Sequence, residues 1–115
     1  MGSACVVRSP FYRVELRADD GDWLVAYMPI RSDGRYDDRT AGPHLVKAGG
    51  SRQLYGELVA TRERYHRIVW GGGATDSLTD LGLEPVRVGL GVRLYKGDDR
   101  AGPHRQFVVR EMIRV

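Results

Sequence analysis

One glutamate, several arginines and one histidine in this sequence have the side-chain chemistry that metal-free RNA cleavage requires. A base must take the proton of the ribose 2′-hydroxyl, and an acid must protonate the leaving 5′-oxygen, so that a 2′,3′-cyclic phosphate forms. Fixed positive charge must stabilise the phosphate as negative charge develops. We assign Glu57 as the base, His104 as the acid and Arg67 as the catalytic arginine. The candidate phosphate-binding residues are Arg62, Arg64 and Lys47.

The element that carries Glu57 and Arg67 decides whether these two side chains can meet. The segment SRQLYGELVATRERYHRIVW (51–70) has apolar residues at helical spacing, which slightly favours a helix. A helix would separate Glu57 from Arg67 by about 15 Å along its axis. The β-branched and aromatic content of the segment, together with Gly56, instead favours a β-hairpin. In a hairpin the two side chains can share one face, because alternate residues of a strand do.

The remaining sequence predicts a small single domain, residues 1–115, built around an antiparallel sheet. A short helix is expected at 75–82, where TDSLTDLG ends in a glycine. The fold class that we predict is α+β with one or two helices, and the alternative is a mostly β domain. The segments richest in β-branched and aromatic residues, which we expect to be strands, are 11–17, 22–30, 86–96 and 105–115.

Three stretches of the chain resemble the microbial ribonucleases of the barnase and guanyl-specific type. SRQLYGELVA is similar to the strand that carries the catalytic glutamate of that family, and RYHRIVWG to its arginine strand. LYKGDDRAGPHRQFVV is similar to its final strand, loop and strand, with His104 at the position of the acid. The resemblance covers residues 32–70 and 92–115, and it implies the same three catalytic residues that the side-chain chemistry indicates.

The same resemblance implies a base-reading loop, and the start of the chain departs from the family. SDGR (32–35) is similar to the loop that reads guanine, so Ser32 and Arg35 are the implied base-binding residues. The family begins with a helix, however, whereas residues 4–30 of this chain have the pattern of strands.

A short motif occurs twice, as DDRTAGPH (37–44) and as DDRAGPH (98–104). Its aspartates and histidines are possible metal ligands, but their spacing fits no standard metal site. Asp, Gly, Pro and His are also common turn residues, so we predict that His44 lies in a turn and points into water. We therefore expect neither a metal ion nor a cofactor.

Composition favours an anionic partner without identifying it. The formal charge is +3, but sixteen arginines stand against two lysines, and arginine offers forked donors that suit phosphate. Cys5 is the only cysteine, which excludes an internal disulfide bond. No signal peptide or membrane-spanning stretch is visible, so we expect a cytoplasmic chain that does not enter a membrane; the alternative is a mature domain released from a longer precursor.

Three functions are compatible with the sequence. The most specific is a metal-free endoribonuclease. The alternatives are a non-catalytic domain that binds RNA or another anionic ligand, and a small interaction protein that forms a homo-oligomer through a sheet edge or exposed aromatic residues. Catalysis predicts that the glutamate and the histidine converge on one concave surface, whereas assembly predicts a large exposed apolar patch.

Overall fold

The computed structural model describes residues 8–61 and 63–115, which form a closed antiparallel β-barrel of eight strands. The strands follow one another around the barrel in chain order, and the last pairs with the first. They are β1 (Phe11–Arg17), β2 (Trp23–Pro29), β3 (Leu45–Gly49), β4 (Leu54–Val59), β5 (His66–Trp70), β6 (Ser77–Thr79), β7 (Gly91–Lys96) and β8 (His104–Arg114). The α+β prediction is wrong, because no helix occurs in this described part of the chain, and the fold is all-β.

The segment 51–70 is a hairpin and not a helix. Its strands β4 and β5 pair with Leu58 opposite Ile68, and both of these side chains are buried inside the barrel. The side chains of both segments alternate between the two faces of the sheet, as they do in strands. Leu58 and Ile68 face inward, while their neighbours Glu57 and Val69 face outward. The spacing of Leu54 and Leu58, which favours a helix, is thus also compatible with a strand. Pairing with the neighbouring strands determines that this segment is a hairpin.

The helix expected at 75–82 is also absent, and strand β6 lies there instead. Ser77 and Thr79 face the barrel interior opposite Ile68 and His66. The Ser77 hydroxyl accepts a hydrogen bond of 2.9 Å from the indole Nε1 of Trp70, and the Thr79 hydroxyl donates one of 2.9 Å to the Arg93 carbonyl. These partners satisfy the side-chain hydroxyls of Ser77 and Thr79, which lets a strand with two polar residues lie buried.

Apolar side chains from all the long strands fill the barrel. An eight-stranded barrel is just wide enough for inward side chains to meet across its axis. The fully buried members with the largest volumes include Leu16, Leu24, Met28, Ile68 and Val109. Closure of the barrel pairs both edges of each described strand, so the sheet offers no free edge for partner binding.

Two long connections cover one end of the barrel and are bonded to each other. We call residues 30–44 the first long loop and residues 80–90 the second long loop. The Val86 N–H donates to the Gly34 carbonyl at 2.8 Å, and the Tyr36 N–H donates to the Gly82 carbonyl at 3.2 Å.

Two residues named above, Cys5 and Arg62, lie outside the described residues. Within residues 8–61 and 63–115 no helix is long and apolar enough to cross a membrane.

Candidate ligand-binding groove and the predicted site residues

Glu57 and Arg67 share the outer face of the barrel on adjacent strands. Glu57 lies opposite Val69 and Arg67 lies opposite Val59, so the two are diagonal neighbours, about 7–8 Å apart between their Cα atoms. Arg67, however, is already engaged. Its Nη2 lies 2.5 Å from Oδ1 of Asp98 and its Nη1 lies 3.6 Å from Oδ2 of Asp76. The hydrogen bond to Asp98 raises the pKa of Arg67 further, so the arginine stays charged but committed to these carboxylates.

His104 does not join this pair. Arg67, Leu78, Tyr95 and His104 lie in one row across β5, β6, β7 and β8. Three inter-strand steps place His104 about 14 Å from Arg67 along the sheet, and a fourth step leads to the strand of Glu57. The outer surface of a barrel is convex, so these side chains point away from one another. His104 instead packs against Tyr95, with ring centroids 5.2 Å apart.

The other predicted site residues are dispersed over the surface. Lys47 lies on β3, with its ammonium group 5.7 Å from the ring centroid of Tyr27. Ser32 and Arg35 lie in the first long loop. Arg35 donates from Nε to the Leu83 carbonyl at 3.3 Å. Arg62 lies outside the described residues.

The structure places Glu57 beside the other histidine of the repeated motif. A pocket of about 400 Å³ is lined by eight residues, among them Tyr36, Asp38, His44 and Glu57. His44 is buried, so the prediction that it points into water is wrong. Its Nε2 lies 2.8 Å from the Thr40 carbonyl, and its Nδ1 is hydrogen-bonded to the Tyr36 hydroxyl. A carbonyl only accepts, so in the neutral ring Nε2 carries the proton and Tyr36 donates to Nδ1.

Burial affects two titratable rings at this end of the barrel, where the carboxylates of Asp38 and Glu57 also line the pocket. Burial raises the pKa of Tyr36, and the nearby Asp38 and Asp37 raise it further, so the phenol remains protonated. Burial lowers the pKa of His66, whose ring meets Tyr36 edge-on with centroids 5.1 Å apart. Both ring nitrogens of His44 already have partners and no basic side chain lines the pocket. The pocket therefore lacks the positive charge that a phosphate would need.

A larger groove of about 530 Å³ lies on the outer face of β7. Arg93 on β7 and Gln106 on β8 stand directly opposite each other in the sheet and form its floor. The residues lining it are Arg64, Tyr65, Asp80, Leu83, Glu84, Leu90, Gly91, Arg93 and Gln106. We call it the β7 groove. Gly91 keeps the floor open, since a Cβ atom there would lie 3.2 Å from Nε2 of Gln106.

The arginines of the β7 groove differ from most others in having no carboxylate partner. In residues 8–61 and 63–115, seven arginines lie within 4.0 Å of a carboxylate, and Arg64 and Arg93 are not among them. Of the two acidic residues in the groove, Asp80 accepts a 2.7 Å hydrogen bond from the backbone N–H of Arg93. Glu84 is exposed on the second long loop and makes no such contact within the described part of the chain.

Only part of this groove could be found from the sequence. Arg64 is among the phosphate-binding residues that the sequence predicts. Arg93 and Gln106 were missed, although both point outward in segments that were expected to be strands. The strand expected at 86–96 begins only at Gly91, because residues 86–90 belong to the second long loop. Their direct pairing depends on the β7–β8 register, and the second long loop that forms one wall has no periodic signal. Among the described residues, no group of three or more His, Cys, Asp or Glu side chains could hold a metal ion.

Comparisons of the chain with protein families, with curated proteins and with solved structures each find no match.

Proposed function

We propose that this protein is a binding domain for single-stranded RNA, with the β7 groove as its binding site and without cleavage of the ligand. The observation that carries the proposal is that Arg64 and Arg93, two arginines without a carboxylate partner in the described residues, line the same groove. An arginine that is not neutralised within the protein keeps its forked donors available for a phosphate.

The other residues of the groove suit the remaining parts of a nucleotide. Tyr65, Leu83 and Leu90 provide aromatic and apolar surface against which a base or a ribose can pack. The Gln106 amide offers both a donor and an acceptor to the edge of a base. The volume of about 530 Å³ lies within the usual range of small-ligand sites, so the groove fits one or two nucleotides of a longer strand.

The lack of cleavage follows from the distances between the acid–base residues. The hypothesis of catalysis requires Glu57 and His104 on one concave surface, whereas four inter-strand steps separate their strands, about 19 Å along the sheet. Neither residue lines the β7 groove. We therefore expect RNA incubated with the protein in excess EDTA to remain intact.

The proposal is tested by the fluorescence anisotropy of a labelled single-stranded RNA oligonucleotide titrated with the protein. Arg64→Ala and Arg93→Ala should each weaken binding about tenfold, since each removes charged hydrogen bonds to phosphate. Arg110→Ala is the matched control, because this exposed arginine of β8 also lacks a carboxylate partner but lies outside the groove. Equal loss in all three variants would indicate nonspecific attraction and would contradict a site in the β7 groove.

Substitution of Glu84 tests the proposal in the opposite direction, because it should strengthen RNA binding. Its carboxylate repels a phosphate held in the groove, so Glu84→Gln should strengthen RNA binding, by about threefold for a screened surface charge. Weaker binding by this variant would show that the carboxylate itself contacts the ligand, and it would contradict an anionic ligand.

A further inference from the structure

The outer face of β3, β4 and β5 carries an unusual concentration of exposed apolar side chains. Seven large hydrophobic residues are exposed in the described chain, and four of them lie on this face. They are Leu45, Tyr55, Val59 and Val69, with Tyr55 63% exposed. We call this surface the β3–β5 face. Apolar side chains gathered on one surface mark an interaction site, whereas single exposed ones do not.

Strand register shows that the four residues are contiguous. Glu57 on the central strand stands between Leu45 and Val69 in one row across the three strands. Tyr55 lies two residues earlier on the same strand, opposite Lys47, and Val59 lies two residues later. A shallow groove of about 390 Å³ runs beside Leu45, Tyr55 and Val69. The face is therefore an apolar surface with one acidic residue at its centre and one basic residue beside it.

Neither of these two charges has an ion-pair partner among the described residues. Glu57 and Lys47 are diagonal neighbours on adjacent strands, yet neither takes part in an ion pair in the described residues. In a symmetric dimer the same patch meets itself, so a self-complementary patch must contain both signs of charge. A two-fold axis between Glu57 and Lys47 brings the glutamate of each copy to the lysine of the other.

We propose that the β3–β5 face binds a second copy of this chain and forms a two-fold symmetric dimer. Leu45, Tyr55, Val59 and Val69 supply the apolar contact, and two reciprocal pairs between Glu57 and Lys47 set the orientation. The closed barrel leaves no strand edge for pairing, so the copies meet face to face. The β7 groove shares no lining residue with the groove of this face, and the dimer does not depend on the function of the β7 groove.

Charge reversal measured by analytical ultracentrifugation tests this proposal. Glu57→Lys and Lys47→Glu should each weaken dimerisation at least about tenfold, because each places two like-charged pairs in the interface. The double variant Glu57→Lys/Lys47→Glu restores both pairs and should recover most of the dimer affinity. Recovery distinguishes pairing between copies from a general loss of folding, and the thermal midpoint of each variant checks the fold directly.

A second variant tests the apolar contact. Val69→Asp should abolish the dimer, whereas Val88→Asp should leave it intact, since Val88 is exposed in the second long loop away from this face. A parent protein that stays monomeric at high concentration would overturn the proposal. So would a dimer that survives both single charge reversals, or a double variant that dimerises no better than the single ones.

Discussion

The two copies of the repeated motif differ by one threonine, and this residue also makes their structures differ. Thr40 is present in DDRTAGPH (37–44) and has no counterpart in DDRAGPH (98–104). Its hydroxyl accepts a hydrogen bond from the Ser9 N–H at 3.0 Å and donates one to Asp37 at 3.0 Å. Its carbonyl accepts a hydrogen bond from the ring of His44. These contacts hold the first copy against the barrel, whereas Asp98 of the second copy is exposed.

Removal of the Thr40 hydroxyl should therefore destabilise the barrel. Thr40→Val keeps the branched shape but leaves the Ser9 N–H and the buried Asp37 carboxylate each short of a partner. We expect the free energy of unfolding to fall by about 1–3 kcal/mol in urea denaturation. Ser51→Ala is the control, because the Ser51 hydroxyl also donates to a carboxylate, that of Asp22, but at an exposed site. A loss no larger than that of the control would contradict the role of Thr40.

His66 should make the protein less stable in mild acid. Burial lowers its pKa below the ordinary value of 6.5, and its buried Nδ1 has no hydrogen-bond partner in the described chain. The unfolded state therefore binds more protons below pH 6.5, so stability falls as the pH falls from 6.5 toward the folded-state pKa of His66.

Replacement of His66 by a residue that cannot titrate isolates this effect. His66→Phe should flatten the pH dependence of the urea midpoint below pH 6.5 while largely preserving the stability at neutral pH. An equal loss of stability below pH 6.5 in the parent and the variant would show that groups other than His66 titrate in this range.

At the scale of elements, the two long loops depend on close contact at Gly82. This residue has φ +89°, and a Cβ atom added to it would lie 2.5 Å from Cβ of Tyr36. Gly82→Ala should lower the free energy of unfolding by about 2–5 kcal/mol, through left-handed backbone strain and steric overlap.

A second glycine with a similar backbone conformation distinguishes backbone strain from steric overlap. Gly89 has φ +94° with no atom within 4 Å of an added Cβ, so Gly89→Ala should cost only the strain of about 1–2 kcal/mol. Equal losses in the two variants, measured by urea denaturation, would show that contact between the loops contributes nothing.

The elements also show what the sequence can and cannot specify. The content of β-branched and aromatic residues predicted β1, β2 and β8, and it placed β7 within the longer segment 86–96. Periodicity could not decide between a helix and a hairpin for residues 51–70, because the spacing of Leu54 and Leu58 fits one face of a helix and one face of a strand equally well. The three residues of β6 are too few for any period, and their burial depends on partners such as Trp70.

At the scale of the whole molecule, closure of the barrel is the property that local sequence patterns do not predict. The pairing of β1 with β8 joins Tyr12 to Arg114, near opposite ends of the chain, and no local pattern encodes such a contact. Closure also determines the site. It spreads Glu57 and His104 around a convex surface, whereas the register of the β7–β8 pair places Arg93 beside Gln106.

The most direct test of RNA binding in this groove is a two-dimensional ¹⁵N NMR titration of the protein with a single-stranded RNA oligonucleotide. We predict that the side-chain amide of Gln106 and the backbone N–H groups of Gly91 and Arg93 shift first. Resonances of Lys47 and Glu57 on the β3–β5 face should change least. Shifts centred on that face, or no shift at an RNA concentration that saturates the anisotropy signal, would contradict the proposed site.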